Sequence, residues 1–411
     1  MKNKILKSGF ALSTLALVVS PAIATELRFD GFASFVAGQV LDKDELADTN
    51  FRGFDEKMSF QENSLFAIQA RADLQDKLSA TAQIIAKGSD DYDAKFNWAY
   101  LSYEINNEWT AKFGRSRIPY FLYSDVLDVG YAYHWISPPD SVYNLAGFDS
   151  ADGITLDYQT DIAGWTSRLS MMGGRADTTL STATGDADTR VSDVWVLAWS
   201  MNYDWLTLRI VHAESELTIT TDLVSGLAAG LGSLEFPPGT TLISQDAIDD
   251  MLVENDRASF DGVAVAIDTG QFFAIAEYTE LGIADSFLED PGKRWYVSGG
   301  VRFGDFTAYA TVEGYESDLN VSGQEGITDQ LDVLAPFVPF MSDAERAGYE
   351  QLYGGTVAVF SQSQQDQDTY SVGLRYNFHP SAAAKLEFIQ QDDKVNEVEP
   401  QAIAFAIDLV Y

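Results

Sequence analysis

Cysteine is absent from these 411 residues, histidine occurs only three times, and 26 lysines and arginines stand against 62 aspartates and glutamates. Without cysteine there is no disulfide framework, no thiolate metal site and no thiol nucleophile. His134, His212 and His379 are far apart in sequence, and none accompanies a Gly-x-Ser-x-Gly turn or a second ligand at metal-binding spacing. Neither catalysis nor a structural metal is therefore expected. A net charge of -36 excludes nucleic acid as a partner, because phosphate binding needs a basic surface. After residue 19 no apolar run is as long as a membrane-spanning helix requires.

What is present begins with a leader. Lys2, Lys4 and Lys7 precede an apolar run from Gly9 to Val19, followed by Pro21 and Ala22-Ile23-Ala24. This is the three-part form of a secretory signal peptide, expected over 1–24, with export and a mature start at Thr25. Residues 25–411 read as one domain.

The chain finishes on a strand. Ile403, Phe405, Ile407, Leu409 and Tyr411 alternate with Ala404, Ala406, Asp408 and Val410. An uncovered strand of this kind invites aggregation in water, but a closed barrel in lipid can end on it. Fifteen further segments show similar patterns, giving strands near 26–38, 65–75, 78–88, 94–105, 109–118, 153–161, 165–175, 191–203, 206–219, 258–269, 272–283, 293–304, 306–317, 367–378, 382–392 and 401–411. Tight connections alternate strictly with longer ones at 41–64, 89–93, 119–152, 176–190, 220–257, 284–292, 318–366 and 393–400. Short turns on one side and roomy loops on the other are the rhythm of a transmembrane antiparallel β-barrel. An even strand count puts both termini on the periplasmic side, and about sixteen strands leave room for an aqueous channel. No plug precedes the first strand. The alternative of a secreted β-rich binding protein needs polar outward faces, whereas these carry Trp, Phe, Leu and Val.

Phe113-Gly114-Arg115-Ser116-Arg117 closes the fifth strand ahead of the long third outer connection. In this, and in its whole architecture, the chain resembles the sixteen-stranded general porins of the Gram-negative outer membrane. The resemblance implies a homotrimer of water-filled channels for small hydrophilic solutes and ions, set among lipid and lipopolysaccharide. It also implies a third loop, about 119–152, folded into the lumen, with Arg115 and Arg117 at the pore constriction facing Asp125, Asp128 and Asp140. This loop is richer in aromatics and proline than a water-lined constriction requires, so a substrate-selective channel for sugars, peptides or organic acids is the alternative reading.

Strand parity assigns other residues without the resemblance. Arg28, Arg71, Lys112, Arg168, Arg209, Arg294, Arg302 and Arg375 each oppose their strand's apolar set. A cation on the lipid face costs roughly 2–4 kcal/mol at mid-bilayer, so these are expected to line the lumen. In the long outer loops, 220–257 and 318–366, Ser342-Asp343-Ala344-Glu345 forms a capping box, with Gly354-Gly355 expected to stop the helix, and Ser244 begins a second short helix. The acidic clusters Asp42–Asp48, Asp90-Asp91-Asp93 and Asp186-Asp188 are candidates for Ca2+ but lack calcium-loop spacing, and no other cofactor is expected. Total charge points to mild cation selectivity.

Overall fold

The structure is a computed structural model describing residues 26–41, 51–144, 148–182, 185–284, 286–288 and 292–411. The leader and Asp42–Asp48 lie outside the described residues. Sixteen strands form one antiparallel sheet in which each pairs with its chain neighbours and the last pairs with the first. The first half comprises β1 Glu26–Val40, β2 Leu65–Gln75, β3 Leu78–Lys87, β4 Ala94–Glu104, β5 Trp109–Arg117, β6 Ser150–Ile162, β7 Trp165–Thr182 and β8 Gly185–Tyr203. The second comprises β9 Leu206–Thr221, β10 Val253–Asp268, β11 Phe272–Ile283, β12 Gly292–Phe303, β13 Phe306–Ser317, β14 Gln365–His379, β15 Ala382–Asp393 and β16 Gln401–Val410.

Alternation along each strand produces two unlike surfaces. On β12, Val297 and Phe303 are 52% and 51% exposed, whereas Tyr296 and Ser298, on either side of Val297, are buried. The exposed set is the oily outer wall, and the closed ladder leaves no strand edge for lipid to meet.

Closure depends on the two ends of the chain. The Gly31 amide donates to the Tyr411 carbonyl at 2.9 Å and the Tyr411 amide donates back at 3.0 Å. The Tyr411 ring lies across β1, its hydroxyl donating to the Ala67 carbonyl of β2 at 3.2 Å and its face stacked on Phe66. Glycine at 31 makes this possible, since a Cβ there would sit 2.4 Å from the ring.

Two expectations about the outer side are corrected. The connection 176–190 is not a loop: β7 and β8 stay paired from Ala176–Val191 to Thr182–Gly185. Thr178, Thr179, Thr189 and Val191 are β-branched, and they prolong the ladder. Likewise β9 and β10 shorten the connection 220–257 to 222–252. The second correction concerns the helices α1 Asp140–Tyr143, α2 Asp222–Gly232, α3 Gln245–Asp249, α4 Val321–Asp332 and α5 Asp343–Ser361. The capping box at Ser342 forms as expected, but α5 runs through Gly354-Gly355. A Cβ at Gly355 would lie 3.0 Å from Leu227 of α2, so this glycine admits a neighbouring helix. Helices α2 to α5 share an apolar core around Leu231, Ile248, Ile327 and Phe360. None of the described helices is long and apolar enough to cross a membrane.

The seam yields a test. Gly31→Val should force the Tyr411 ring off β1 and lower unfolding free energy by about 1–3 kcal/mol, as overpacking does. Adding Tyr411→Ala should recover part of that loss in urea titrations of the folded barrel. An unchanged midpoint in the single variant would show that the ring is not seated there.

Candidate functional site

The inner wall is not uniformly polar. Val194, Val196, Ala198, Val211, Ala213, Phe260, Phe273 and Ile275 are buried on the inward face of β8 to β11. Their sequence signal is a run apolar on both faces, Val194-Trp195-Val196-Leu197-Ala198-Trp199, which period-two reading resolves only on its lipid side. Against this wall pack the aromatics of the third outer connection, 118–149. Tyr120 and Phe121 meet Phe260 at ring-centroid distances of 4.8 and 5.6 Å. Trp135 meets Tyr296 edge-on at 5.6 Å. The richness of this segment in Tyr, Phe and Trp follows, since each ring buries apolar area that water would otherwise cover.

Polar groups fasten the same segment to strand after strand. Glu277 of β11 accepts from the Leu122 amide at 2.9 Å, the Tyr143 hydroxyl at 2.7 Å and the Tyr296 hydroxyl at 3.2 Å. Glu313 of β13 accepts from the Ser141 amide at 2.9 Å and also pairs with Arg52 from the first outer connection. His134 meets Ser298 at 2.9 Å, and the Trp135 indole donates to Thr311 at 2.8 Å. Lys385 of β15 is buried, paired with Asp408 of β16 at 2.8 Å, and donates to the carbonyls of Gly130 and Trp135. Arg375 donates to the carbonyls of Tyr131 and Tyr133 at 2.8 and 2.6 Å, and Arg209 donates to that of Pro119.

Of the residues expected at a constriction, Arg117 and Asp128 meet directly, both 6% exposed in their side chains. Asp128 also binds Lys87 at 2.8 Å and accepts from Asn97 at 3.0 Å, and Arg117 further pairs with Asp149 and lies over the Trp98 ring. Asp125 faces Arg168 at 3.5 Å and is largely exposed. Arg115 does not join them, and its expected place is corrected. It is bound to Asp152 on β6 at 2.8 and 3.0 Å, on the outward face that carries Phe113 and Ile154. Pairing of β5 with β6 is unbroken, so parity holds at Arg115. Only Arg117, the last residue of the strand, turns inward.

The eight cations placed by parity divide into four groups. Arg28 and Arg71 sit exposed beside Glu26 and Asp73 near the turns. Lys112, Arg168 and Arg302 pair with Asp157, Asp125 and Asp268, whereas Arg209 and Arg375 hold neutral carbonyls. Arg294 stacks 4.4 Å over Tyr315 and donates to its hydroxyl at 3.0 Å. Parity reasoning missed Lys87, whose strand alternation ends near the bulge at Gln83/Ile84, and Arg52, which lies in a loop. It also passed over the carboxylates Glu277 and Glu387, both buried on their strands' inward faces.

Asp90 pairs with Lys95 and Asp91 accepts from Gln61 at 2.7 Å. No three carboxylate or imidazole groups converge as a metal site among the described residues.

Burial is the largest influence on two titrating groups of the segment. It lowers the His134 imidazole well below its ordinary 6.5, with Lys385 and Arg375 adding to the effect. Burial would raise Asp128, but Lys87 and Arg117 together outweigh it and hold the carboxyl well below 3.8. In both cases the folded form binds fewer protons than the released one. The stabilisation is therefore complete above the ordinary value and is lost as pH falls, from 6.5 downward for His134 and from 3.8 downward for Asp128. Protease cleavage of segment 118–149 should rise in two stages on acidification. His134→Gln should remove the upper stage; cleavage that follows the same pH curve in that variant would count against the imidazole.

Comparison with known proteins follows from this geometry. A model of the Gram-negative porin family matches residues 11–396. The outer membrane channel DcaP of Acinetobacter baumannii superposes with a TM-score of 0.58 at 10% identity, over 94% of this chain and 97% of that one. OmpT of Vibrio cholerae, solved in a trimer form, gives 0.53 at 12% identity over 95% of this chain and all of that one, 100%. The anion-selective porin from Comamonas acidovorans gives 0.53 at 10% over 94% and 100%. Such low identities carry the fold alone, and no curated protein matches the sequence. With a family match across most of its length and a closed barrel of sixteen strands, the chain belongs to the Gram-negative porins of the outer membrane.

Proposed function

We propose that this porin is a water-filled channel for passive diffusion of small hydrophilic solutes and ions, narrowed by segment 118–149. One observation carries the reading: the segment bonds to Lys87 on β3 and Arg117 on β5, and equally to Glu277 on β11 and Lys385 on β15. A single stretch of chain bonded to strands on opposite sides of a closed wall supports a course through its interior. Arg117, Asp128 and Asp125 are then the constriction residues, with Arg168 opposite Asp125. Opposed charges across a narrowing rank solutes by charge and dipole.

The trimer form of OmpT supports a homotrimer for this chain as well. Its outward apolar wall meets lipid. The Arg115–Asp152 pair at the outer end of that wall lies where lipopolysaccharide headgroups are the neighbours.

Single-channel recording in planar bilayers tests both parts. The wild type should give ohmic steps, and absence of steps would sink the channel itself. Glu277→Ala leaves Leu122, Tyr143 and Tyr296 donors unpaired at about 1–3 kcal/mol each, enough to release the segment from β11. Conductance should rise and sugar entry into liposomes should quicken. Unchanged conductance in a correctly folded variant would mean that the segment does not narrow the path.

A further inference from the structure

Two cavities of about 190 and 540 Å³ lie beneath segment 118–149 and share Leu122, Asn202 and Thr207 in their linings, so they form one chamber. Asn202, Asp268, Arg302 and Asn377 on its wall are each within three residues of a tight turn, which places it at the periplasmic end of the barrel. Arg117 reaches it but is committed to Asp128 and Asp149. The remaining cations are Lys112, Arg168, Arg209, Arg302 and Arg375, and the carboxylates are Asp125, Asp157 and Asp268, so five positive charges face three negative and the formal balance is +2. This reverses the sign of the chain as a whole, at -36.

The acids are already engaged. Asp268 takes both Arg302 nitrogens at 2.7 and 2.8 Å, and Asp157 takes Lys112 at 3.0 Å and the Ser170 hydroxyl. Arg209 and Arg375 hydrogen-bond only neutral acceptors, and the carboxylates that act on them, Glu277 and Asp125 on Arg209 and Asp408 on Arg375, do so without a direct ion pair. Arg168 is 3.5 Å from both Asp125 and Asp157 and keeps 39% of its side chain exposed, as does Arg302. The other chamber wall is aromatic. Arg302 lies 4.9 Å over Phe273 and Arg375 lies 4.7 Å over Tyr131, with Tyr123 and His134 beside them. Low-dielectric walls of one sign focus potential onto a solute of the other.

We propose that this chamber is a binding subsite for small organic anions, namely a carboxylate on a flat apolar body. The carboxylate is drawn to Arg168 and Arg302, and the body lies against the rings. The subsite rests on the reading of segment 118–149 as the chamber's roof. It sets the inner half of the passage against the cation preference that total charge implies.

Planar-bilayer recording in sodium benzoate, acetate and phosphate separates the possibilities. A sodium benzoate gradient should give a reversal potential of anion sign. Benzoate added on the periplasmic side should block transiently and more strongly than acetate or phosphate. Arg168→Gln with Arg302→Gln should move reversal toward sodium and weaken the block by roughly tenfold; Arg302 makes no ion pair to segment 118–149, and Arg168 meets it only at the exposed Asp125, 3.5 Å away. The Lys/Lys pair of substitutions should retain both signatures. A wild-type reversal of cation sign, or a block unaffected by the glutamine pair, overturns the proposal; so does equal blocking by benzoate and phosphate. Loss of all conductance steps would instead count against the channel reading.

Discussion

Everything in this molecule depends on one requirement: at the depth of the hydrocarbon no backbone amide or carbonyl can be left without a partner. Fifteen hairpin contacts satisfy it locally, but the sixteenth joins residues almost a chain length apart. That last contact is made by β1 and β16 and covered by the Tyr411 ring, which reaches past Gly31 to β2. Opening this seam would expose two strand edges to lipid at once. An aromatic is suited to the position because it adds apolar area outward and a hydroxyl toward the Ala67 carbonyl, and a glycine beneath it is the necessary complement.

Closure creates a second problem in the interior. A wall of sixteen strands encloses more space than its own side chains fill, and here one sector of that wall, β8 to β11, is apolar on its inward face too. Water against such a surface is unfavourable at roughly 25 cal/mol per Å². The aromatics of segment 118–149 cover it, while carboxylates and cations on neighbouring strands take up the segment's backbone and hydroxyl groups. The apolar sector and the aromatic segment each explain the other. A buried carboxylate such as Glu277 is acceptable because three donors converge on it, and removal of any one partner leaves the others in deficit.

How much was legible in the sequence follows from the length scale of each signal. Strand number, order and the tight turns are local properties: a two-residue period and a punctuating Gly, Asn or Asp are visible in ten residues. Hence every strand from β1 to β16 has its counterpart in the periodic segments. The prolonged β7–β8 hairpin was hidden because Thr178, Thr179 and Asp188 look like loop composition until a partner strand pairs with them. Gly354-Gly355 looked like a helix stop because its true reason, the approach of Leu227, is tertiary. Lys87, Arg52, Glu277 and Glu387 escaped for the same cause. Whether an ionisable residue has a partner depends on a segment up to 261 positions away, as Arg52 and Glu313 show. Parity assigns Lys112, Arg168 and Arg302 to the face opposite their strands' apolar residues, but does not say which acids they meet. Arg115 shows the converse: where pairing is unbroken, parity outranks the resemblance that drew this arginine inward.

The distribution of charge also separates what composition reports from what a passing solute experiences. Many of the described acids, such as Glu56, Asp91, Asp246 and Glu345, stand in exposed outer loops, where water and salt screen them over about 8–10 Å. The chamber below segment 118–149 is different, because its cations stand on protein walls and its acids are neutralised by contact with them. On the proposed path, charges within a few ångströms of a solute act with little screening, so a minority of arginines would outweigh the acidic total there. On this proposal the outer surface sets the concentration of ions near the mouth, and the inner wall sets which of them find a favourable place beyond segment 118–149.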